Sequence, residues 1–307
     1  MRAEPFRRWA KALRAAPVLN YPATALARSV MRVAGVRSEW LIRHLPKVGR
    51  VSAPLPNGRA LRLWSRGDDW VSNQVYWRGW AGHEAETAPV FFDLATTAAA
   101  TVDVGAYVGY YALLAAHANP KGRVVALEPL PAIHARLARH VAINGLRNVE
   151  LLMAAAGSQA GSASFYHQVH ALPTSSSLSR EFMAGTSELV ASTVPVVTVD
   201  EVVRRHGIER VDLVKIDTES TEPDVLEGMR VVLARDRPNV VCEVLRGRGA
   251  EERLGPILEP FGYRYFLLTP DGPEAMDRVE GHPSWLNYLF VAREGVLPLH
   301  GRVGPRR

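Results

Sequence analysis

The segment from Thr101 to Tyr111 constrains the fold of this chain more than any other. It joins a short apolar strand to a glycine turn and then to a helical pattern. A second apolar strand, residues 123–127, follows the helix and ends in Glu128. This order predicts a βαβ unit of the kind that binds nucleosides. In such units the glycines let the backbone approach the ligand, and the acid can accept hydrogen bonds from both ribose hydroxyls.

The spacing of the glycines indicates which nucleoside is bound. Dinucleotide sites follow Gly-x-Gly-x-x-Gly, because a pyrophosphate must lie on the turn. Here Asp103 precedes Gly105 and Gly109 in the pattern Asp-x-Gly-x-x-x-Gly. A carboxylate in that place suits a cationic ligand without phosphate, such as the amino-acid end of S-adenosylmethionine. The spacing therefore argues against an NAD-dependent oxidoreductase, which is the rival enzyme class.

Strands and helices alternate from about residue 99, which predicts an α/β fold with a mostly parallel sheet and helices on both faces. Strands are expected at 100–105, 123–128, 149–155, 211–217, 239–245 and 263–268, and helices at 108–118, 131–144, 222–235 and 249–260. An extra strand pair is expected at 162–167 and 193–198, a polar loop at 168–191 between its strands, a hairpin at 51–64 and a final antiparallel strand at 285–291.

The positive charge of the chain is concentrated at its beginning. The whole chain carries +6, whereas residues 1–50 hold eleven Lys and Arg against two Glu, a net of +9, which leaves −3 for the rest. We predict a basic helical extension with a short hairpin at 1–64, a Rossmann-like domain at 65–295 and a tail at 296–307. The acidic balance of the remainder argues against a nucleic-acid partner.

Within the extension, Phe6, Trp9 and Leu13 share one face of a predicted basic helix. Such a helix could make a peripheral contact with an anionic membrane, or it could pack on the catalytic domain or form a homo-oligomer contact.

No apolar run reaches the roughly 18 residues that span a bilayer. The single cysteine, Cys242, excludes an intrachain disulfide framework. Together these features predict a cytoplasmic protein.

Three acids fall at the ends of predicted strands, where an open α/β sheet binds its ligands. Asp103 lies near the end of the first strand, Glu128 ends the second and Asp217 ends the fourth. Glu219 follows two residues after Asp217, so both carboxylates could face one pocket from an irregular turn. The pair could act as a base, hold a sulfonium charge or bind a divalent metal, and the sequence leaves these alternatives open.

Four runs of residues together resemble the FkbM family of S-adenosylmethionine-dependent methyltransferases. They are Val102-Asp-Val-Gly-Ala-Tyr-Val-Gly-Tyr-Tyr, Leu127-Glu-Pro, Val214-Lys-Ile-Asp-Thr-Glu and Asn287-Tyr-Leu-Phe-Val. The resemblance covers roughly residues 75–292. It implies the class I methyltransferase fold, with a seven-stranded sheet whose seventh strand is antiparallel. It also implies in-line O-methylation of a hydroxyl on a small-molecule or glycan acceptor, such as a sugar or natural product.

Carried over by position, the resemblance assigns roles to individual residues. Those that would bind the cofactor are Asp103, Gly105, Ala106, Tyr107, Gly109, Glu128, Pro129, Ala154 and Ala155. Asp103 and the glycine turn would line its methionine part, Glu128 would hold the ribose, and the two alanines would lie near the adenine. Asp217 and Glu219 would face the methyl group. Beyond the resemblance, we expect Asp217 to act as the base for the hydroxyl proton, with Glu219 as the second choice.

One residue departs from the family pattern. Ser220 stands where the family often has glycine. If that turn requires a positive φ, the serine costs free energy or reshapes the rim of the site. The remaining alternative to an enzyme is a non-catalytic partner subunit that binds the cofactor and whose site Ser220 has altered.

Overall fold

The computed structural model describes residues 16–35, 38–168, 176–185 and 188–292 of the chain. The chain divides into two compact units, residues 1–84 with 142–144 and residues 85–141 with 145–307. The predicted helix around Phe6, Trp9 and Leu13 and the tail at 296–307 lie outside the described residues.

The first unit combines helices with one hairpin. Its elements are α1 (Pro17–Ala34), α2 (Glu39–His44), β1 (Val48–Pro54), β2 (Ala60–Arg66) and α3 (Trp70–Arg78). The two strands pair antiparallel, which confirms the predicted hairpin. None of the described helices is both long enough and apolar enough to cross a bilayer.

The second unit contains the alternating strands and helices. Its strands are β3 (Ala100–Val104), β4 (Arg123–Leu127), β5 (Val149–Leu152), β6 (Ala155–Ala156), β7 (Gly161–Gln168), β8 (Ser176–Ser177), β9 (Leu189–Val197), β10 (Leu213–Ile216), β11 (Asn239–Glu243), β12 (Tyr263–Thr269), β13 (Gly272–Met276) and β14 (Asn287–Ala292). Its helices are α4 (Ala88–Ala95), α5 (Tyr110–Ala118), α6 (Pro131–Asn144), α7 (Val199–Arg205), α8 (Glu222–Glu227), α9 (Arg230–Arg235) and α10 (Ala250–Leu258), with a short 3₁₀ helix at Glu259–Phe261. The last three residues of α6, 142–144, belong to the first unit.

The large sheet has the order β13-β12-β14-β11-β10-β3-β4-β5. The five strands from β11 to β5 run parallel, and β14 lies antiparallel between β11 and β12. This arrangement confirms the predicted Rossmann-like α/β class with an antiparallel last strand. The expected count of seven strands was wrong, because the chain reverses after Thr269 and Gly272–Met276 adds an eighth strand beside β12.

A smaller sheet has the order β6-β9-β7-β8. The predicted extra strand pair is confirmed as β7 and β9, which pair antiparallel. The prediction of a polar loop over 168–191 is wrong where the structure describes that segment. Ser176 and Ser177 form β8, which pairs with β7. Strand β9 already begins at Leu189. Residues 169–175 and 186–187 lie outside the described part of the chain.

The two faces of the large sheet differ in chemistry, because successive residues of a strand point to opposite faces. On one face, Val102, Val214 and Val240 are fully buried in the main apolar core with residues of α7 to α10. Cys242 is buried in the same core. The opposite face of β3 and β10 carries Asp103 and Lys215, which are paired in register. The sheet therefore has one apolar face and one face that brings charged groups to the carboxyl edge.

The helix predicted over 222–235 is interrupted. The structure has two short helices, α8 and α9, which are separated at Gly228. The backbone of Gly228 approaches the chain after β6 so closely that a Cβ atom on it would lie 2.1 Å from the carbonyl oxygen of Gly157. Its own φ of −75° is ordinary for any residue. The break therefore follows from a close contact between backbones rather than from an unusual backbone conformation.

Gly228→Ala should destabilise the protein, because the added methyl group overlaps backbone atoms that cannot rotate away. We expect a loss of roughly 1–3 kcal/mol in the free energy of unfolding, the usual cost of overpacking. Gly161→Ala is the matched control, since Gly161 in β7 has no atom within 4 Å of such a Cβ. Urea unfolding of both variants measures the difference, and equal midpoints would contradict the close contact.

Candidate functional site

The glycine turn after β3 packs against the end of β10. Gly105 and Ala106 donate their N–H groups to the carbonyl oxygen of Leu127, at 3.1 and 2.9 Å. Gly105 has a φ of 77°, and a Cβ atom on it would lie 1.8 Å from the carbonyl oxygen of Asp217. Only glycine fits such a position. Glycine is therefore required at position 105 by the close contact with the backbone of Asp217, whether or not a ligand also contacts the turn.

Asp103 organises the helix that follows the turn. Its carboxylate is buried, and Oδ2 accepts a hydrogen bond from the N–H of Ala112, at 2.8 Å. Helix α5 is preceded by Gly109, which has a φ of 89° and no side chain to cap the free N–H groups of the first turn. Asp103 supplies the missing acceptor from the neighbouring strand. Its predicted contact with the methionine part of a cofactor stays a prediction.

Glu128 lies just after β4, where the sequence places it. Oε2 accepts from the N–H of Tyr107 at 3.1 Å, and Oε1 accepts from the N–H of Leu130 at 2.8 Å. Burial raises the pKa of Glu128 to about 8, against the lowering effect of these two hydrogen bonds. Each oxygen keeps capacity for a further donor. A ligand with two hydroxyl groups could therefore bind the carboxylate without breaking these bonds.

Of the remaining predicted cofactor residues, Ala106, Pro129, Ala154 and Ala155 are buried and Tyr107 is half-buried. Pro129 follows Glu128, and Ala155 begins β6 directly after Ala154. Ala106, Ala154 and Ala155 are each 6% exposed. Tyr107 has a φ of 49°, in the left-handed region that is uncommon for a residue with a side chain. Their contacts with a nucleoside stay predictions.

Lys215 is a fully buried cation on the polar face of the sheet. Its Nζ donates to Oδ2 of Asp217 at 3.1 Å and lies 5.1 Å from the ring centroid of Tyr111. In the register of β10 with β3 it stands opposite Asp103. A buried charge is costly unless it is paired, so the carboxylates around Lys215 are part of what keeps it in the fold. The side chain of Asp217 is 29% exposed and so stays accessible to a ligand.

Glu243 is a site residue that the sequence reasoning missed. It ends β11, and the register of β10 with β11 continues to place it beside Asp217. Burial, followed by the negative charges of Asp217 and Glu219, raises the pKa of Glu243 well above its ordinary value. Among the described residues, its Oε2 has no hydrogen-bond partner. The strand-end rule that selected Asp217 would have found it, but the following Val244 made the segment look like uninterrupted strand.

The turn after Asp217 has an unusual backbone. Glu219 has a φ of 56° and Ser220 a φ of 81°, which confirms that the position of Ser220 requires the left-handed conformation. The buried Glu222 holds the turn, because its Oε1 accepts from the N–H groups of Thr218 and Ser220 at 3.0 and 3.1 Å. Ser177 adds a hydrogen bond from its Oγ to the carbonyl oxygen of Glu219, at 2.7 Å.

The structure thus brings most of the predicted acids to one edge of the large sheet. Asp217 and Glu219 lie close enough to Glu243 to shift its pKa, and Asp103 shifts the pKa of Glu128 in the same direction. Within the described ranges, no group of three or more His, Cys, Asp or Glu side chains is arranged to hold a metal ion. The charge balance of the site favours a cationic ligand.

Comparison with known families matches residues 103–289, more than half of the chain, to the family described as the methyltransferase FkbM domain. Among related proteins, methyltransferase sdnD of Sordaria araneosa is 27% identical over 219 residues, and the match covers 63% of this chain and 81% of that protein. Methyltransferase 1 of Beauveria bassiana (strain ARSEF 2860) is 26% identical over 189 residues, 55% of this chain and 74% of that protein.

Two solved structures show a weaker likeness. Methyltransferase FkbM from Methylobacillus flagellatus KT aligns with a TM-score of 0.43 and 16% identity over 62% of this chain and 42% of that one. The present chain thus spans less than half of its length. The O-methyltransferase TomG of Streptomyces achromogenes, solved in complex with SAM, aligns with a TM-score of 0.38 and 14% identity over 68% and 79% of the two chains.

Ser220→Gly should stabilise the protein. A left-handed conformation costs a residue with a Cβ atom roughly 1–2 kcal/mol, and glycine avoids most of this cost. Ser220→Ala is the matched control, because it removes the buried Oγ but keeps the Cβ atom. We expect the glycine variant to exceed the alanine variant by about 1 kcal/mol in urea unfolding. Equal stability of the two variants would show that the backbone at this turn is not strained.

Proposed function

Because the chain belongs to the FkbM family of methyltransferases, we propose that it transfers a methyl group from S-adenosylmethionine to a hydroxyl oxygen of a sugar or natural-product acceptor. The observation that carries this proposal is the set of carboxylates at the carboxyl edge of β3, β10 and β11, beside the glycine turn. In the reaction the acceptor oxygen forms a bond to the methyl carbon as the bond from carbon to sulfur breaks. The hydroxyl proton goes to a carboxylate of the protein.

The residues present fit the cofactor. Glu128 offers two carboxylate oxygens with remaining acceptor capacity, which suits the two hydroxyls of a ribose. The negative charges of Asp217 and Glu219 lie at one edge, where they raise the pKa of the buried Glu243. A sulfonium cation suits these two charges. When bound, S-adenosylmethionine supplies the electrophilic methyl group. The chain supplies position and charge, and correct placement of two reactants alone can contribute several kcal/mol to catalysis.

Asp217 is our choice for the carboxylate that accepts the hydroxyl proton. Lys215 holds its Oδ2, which fixes the side chain and leaves Oδ1 for the acceptor. Its partial exposure allows an acceptor to reach it. Glu219 is the second choice, as part of the same turn. Glu243 is a third carboxyl beside Asp217, and its raised pKa favours its protonated form.

Asp217→Asn should bind the cofactor yet lose most turnover, because the amide keeps the shape but cannot accept the proton. A positioned base contributes about 10²–10⁴ in rate. Single-turnover methylation of a hydroxyl panel, together with calorimetric cofactor binding, measures the two effects separately. Asp271→Asn, in the exposed turn between β12 and β13, is the control. Near-normal single-turnover rates in Asp217→Asn would rule it out as the base.

Glu243→Gln distinguishes the two neighbouring carboxyls. If Glu243 is the base, the rate rises with pH through its raised pKa, and the substitution removes that rise. If Asp217 is the base, Glu243→Gln keeps most of the turnover and Asp217→Asn loses it. Cofactor binding without turnover by the unaltered protein on every acceptor would instead favour a non-catalytic partner subunit.

Glu128 should make cofactor binding depend on pH. Its folded-state pKa of about 8 means that it holds a proton at neutral pH without ligand, whereas ribose hydroxyl donors favour the ionised form. Affinity should therefore rise with pH, by up to about tenfold per unit, and level off above 8. Isothermal calorimetry from pH 6 to 9 tests this rise.

Glu128→Ala should weaken cofactor binding by about 10- to 150-fold, the equivalent of a lost hydrogen bond to a charged group. It should also abolish the pH dependence. Glu259→Gln, an exposed acid in the 3₁₀ helix, should change neither property. Unchanged affinity in Glu128→Ala would refute the ribose contact.

A further inference from the structure

Helix α1 in the first unit carries its polar and apolar residues on unexpected sides. Its inward side chains include Asn20 and Thr24, which are 1% and 0% exposed. On the outside, Leu26 is 68%, Val30 57% and Val33 90% exposed. A helix that packs on a globular core normally buries its apolar side chains and exposes its polar ones. The apolar residues of α1 therefore face away from the unit to which the helix belongs.

The inward contacts fix this orientation. Asn20 Nδ2 donates to the carbonyl oxygen of Pro46 at 2.8 Å, and Asn20 Oδ1 accepts from the N–H of Val48 at 2.9 Å. One turn further along, Lys47 Nζ donates to Thr24 Oγ1 at 3.2 Å. Turning the apolar side inward would break these buried hydrogen bonds, which is costly. The exposure of the apolar side is therefore built into the helix and its contacts with β1.

The exposed apolar residues form one continuous face. With 3.6 residues per turn, Leu19, Leu26, Val30 and Val33 fall within an arc of about 60°. Val18, which is 84% exposed, flanks them at the beginning of the helix. We call Leu19, Leu26, Val30 and Val33 the outer face of α1. The helix has 18 residues and no Asp or Glu, so no negative charge interrupts this face.

We propose that the outer face of α1 lies in the interface of an anionic lipid membrane. Residues 1–50 carry eleven Lys and Arg against two Glu, so α1 lies within a strongly basic segment of the sequence. An apolar helix face combined with basic residues binds anionic bilayers in the plane of the interface. Each chain would bring the same positive charge to a contact between two copies, and this repulsion disfavours a second copy as the occupant.

An exposed tryptophan of the first unit is consistent with the same occupant. Trp40 in α2 is 65% exposed and stacks on His44, with ring centroids 4.6 Å apart. Arg43, in the same short helix, is exposed. Tryptophan side chains favour the headgroup region of a bilayer, where one side of the ring is apolar and the other is wet. The first unit thus contains the two residue types that interfacial binding uses.

Co-sedimentation of the full chain with vesicles tests the proposal. The probe is phosphatidylcholine vesicles with about a third phosphatidylserine, compared with phosphatidylcholine alone. The test variant combines Leu26→Ser, Val30→Ser and Val33→Ser in α1. The matched control combines Val190→Ser, Val231→Ser and Leu286→Ser, three exposed apolar residues of the second unit. Thermal unfolding confirms that both variants remain folded.

We expect the unaltered chain and the control to bind anionic vesicles, and high salt to release them. The α1 variant should bind at least tenfold more weakly. Equal binding of the α1 variant and the control overturns the proposal. The proposal is also overturned if the α1 variant still binds and only a variant with Arg7→Gln, Arg8→Gln and Lys11→Gln loses binding. The basic segment would then bind the vesicles without the outer face of α1. A dimer by light scattering that the α1 variant dissociates, without vesicle binding, assigns the face to a second copy.

Discussion

The site depends on one contact between backbones, where the turn after β3 meets the end of β10. At Gly105 there is no room for any side chain, because the carbonyl oxygen of Asp217 occupies the position of a Cβ atom. This contact brings the glycine turn and the carboxylate of Asp217 to the same edge. It also places Asp103 opposite Lys215 in the register of the two strands. A larger residue at position 105 would separate both halves of the site, so the motif glycine is as much a packing residue as a ligand residue.

The electrostatic arrangement follows from this geometry. Lys215 is fully buried and is stabilised by Asp217. The nearby Glu222 and Glu243 are also buried, and burial raises the pKa of each. Such a group of carboxyls is unfavourable on its own, since like charges in a region of low dielectric repel one another. A cationic ligand at this edge would favour the ionised forms of Glu222 and Glu243, so the burial of these carboxyls is a physical reason for the site to accept a cation.

The sequence predicted the parts of the site that follow from strand ends. Asp103, Glu128 and Asp217 could be placed because an apolar strand followed by an acid indicates both the strand and the position of its carboxyl end. Glu243 obeys the same rule and was missed because an apolar residue follows it. Contacts that depend on tertiary packing could not be read in this way. Neither the hydrogen bond from Ser177 to Glu219 nor the break at Gly228 has a local signal, because each depends on a segment distant in the chain.

The turn at 218–222 shows how an unfavourable backbone is kept in place. Two consecutive residues with positive φ, Glu219 and Ser220, persist only where surrounding contacts compensate for their cost. Glu222 supplies an acceptor for two N–H groups of the turn, and Ser177 binds its outer carbonyl oxygen. Because the same turn carries Asp217 and Glu219, these contacts also fix where negative charge is presented. The hydrogen bonds from the turn to Glu222 and from Ser177 therefore offset the cost of the left-handed backbone at Ser220. The same hydrogen bonds position Asp217 and Glu219.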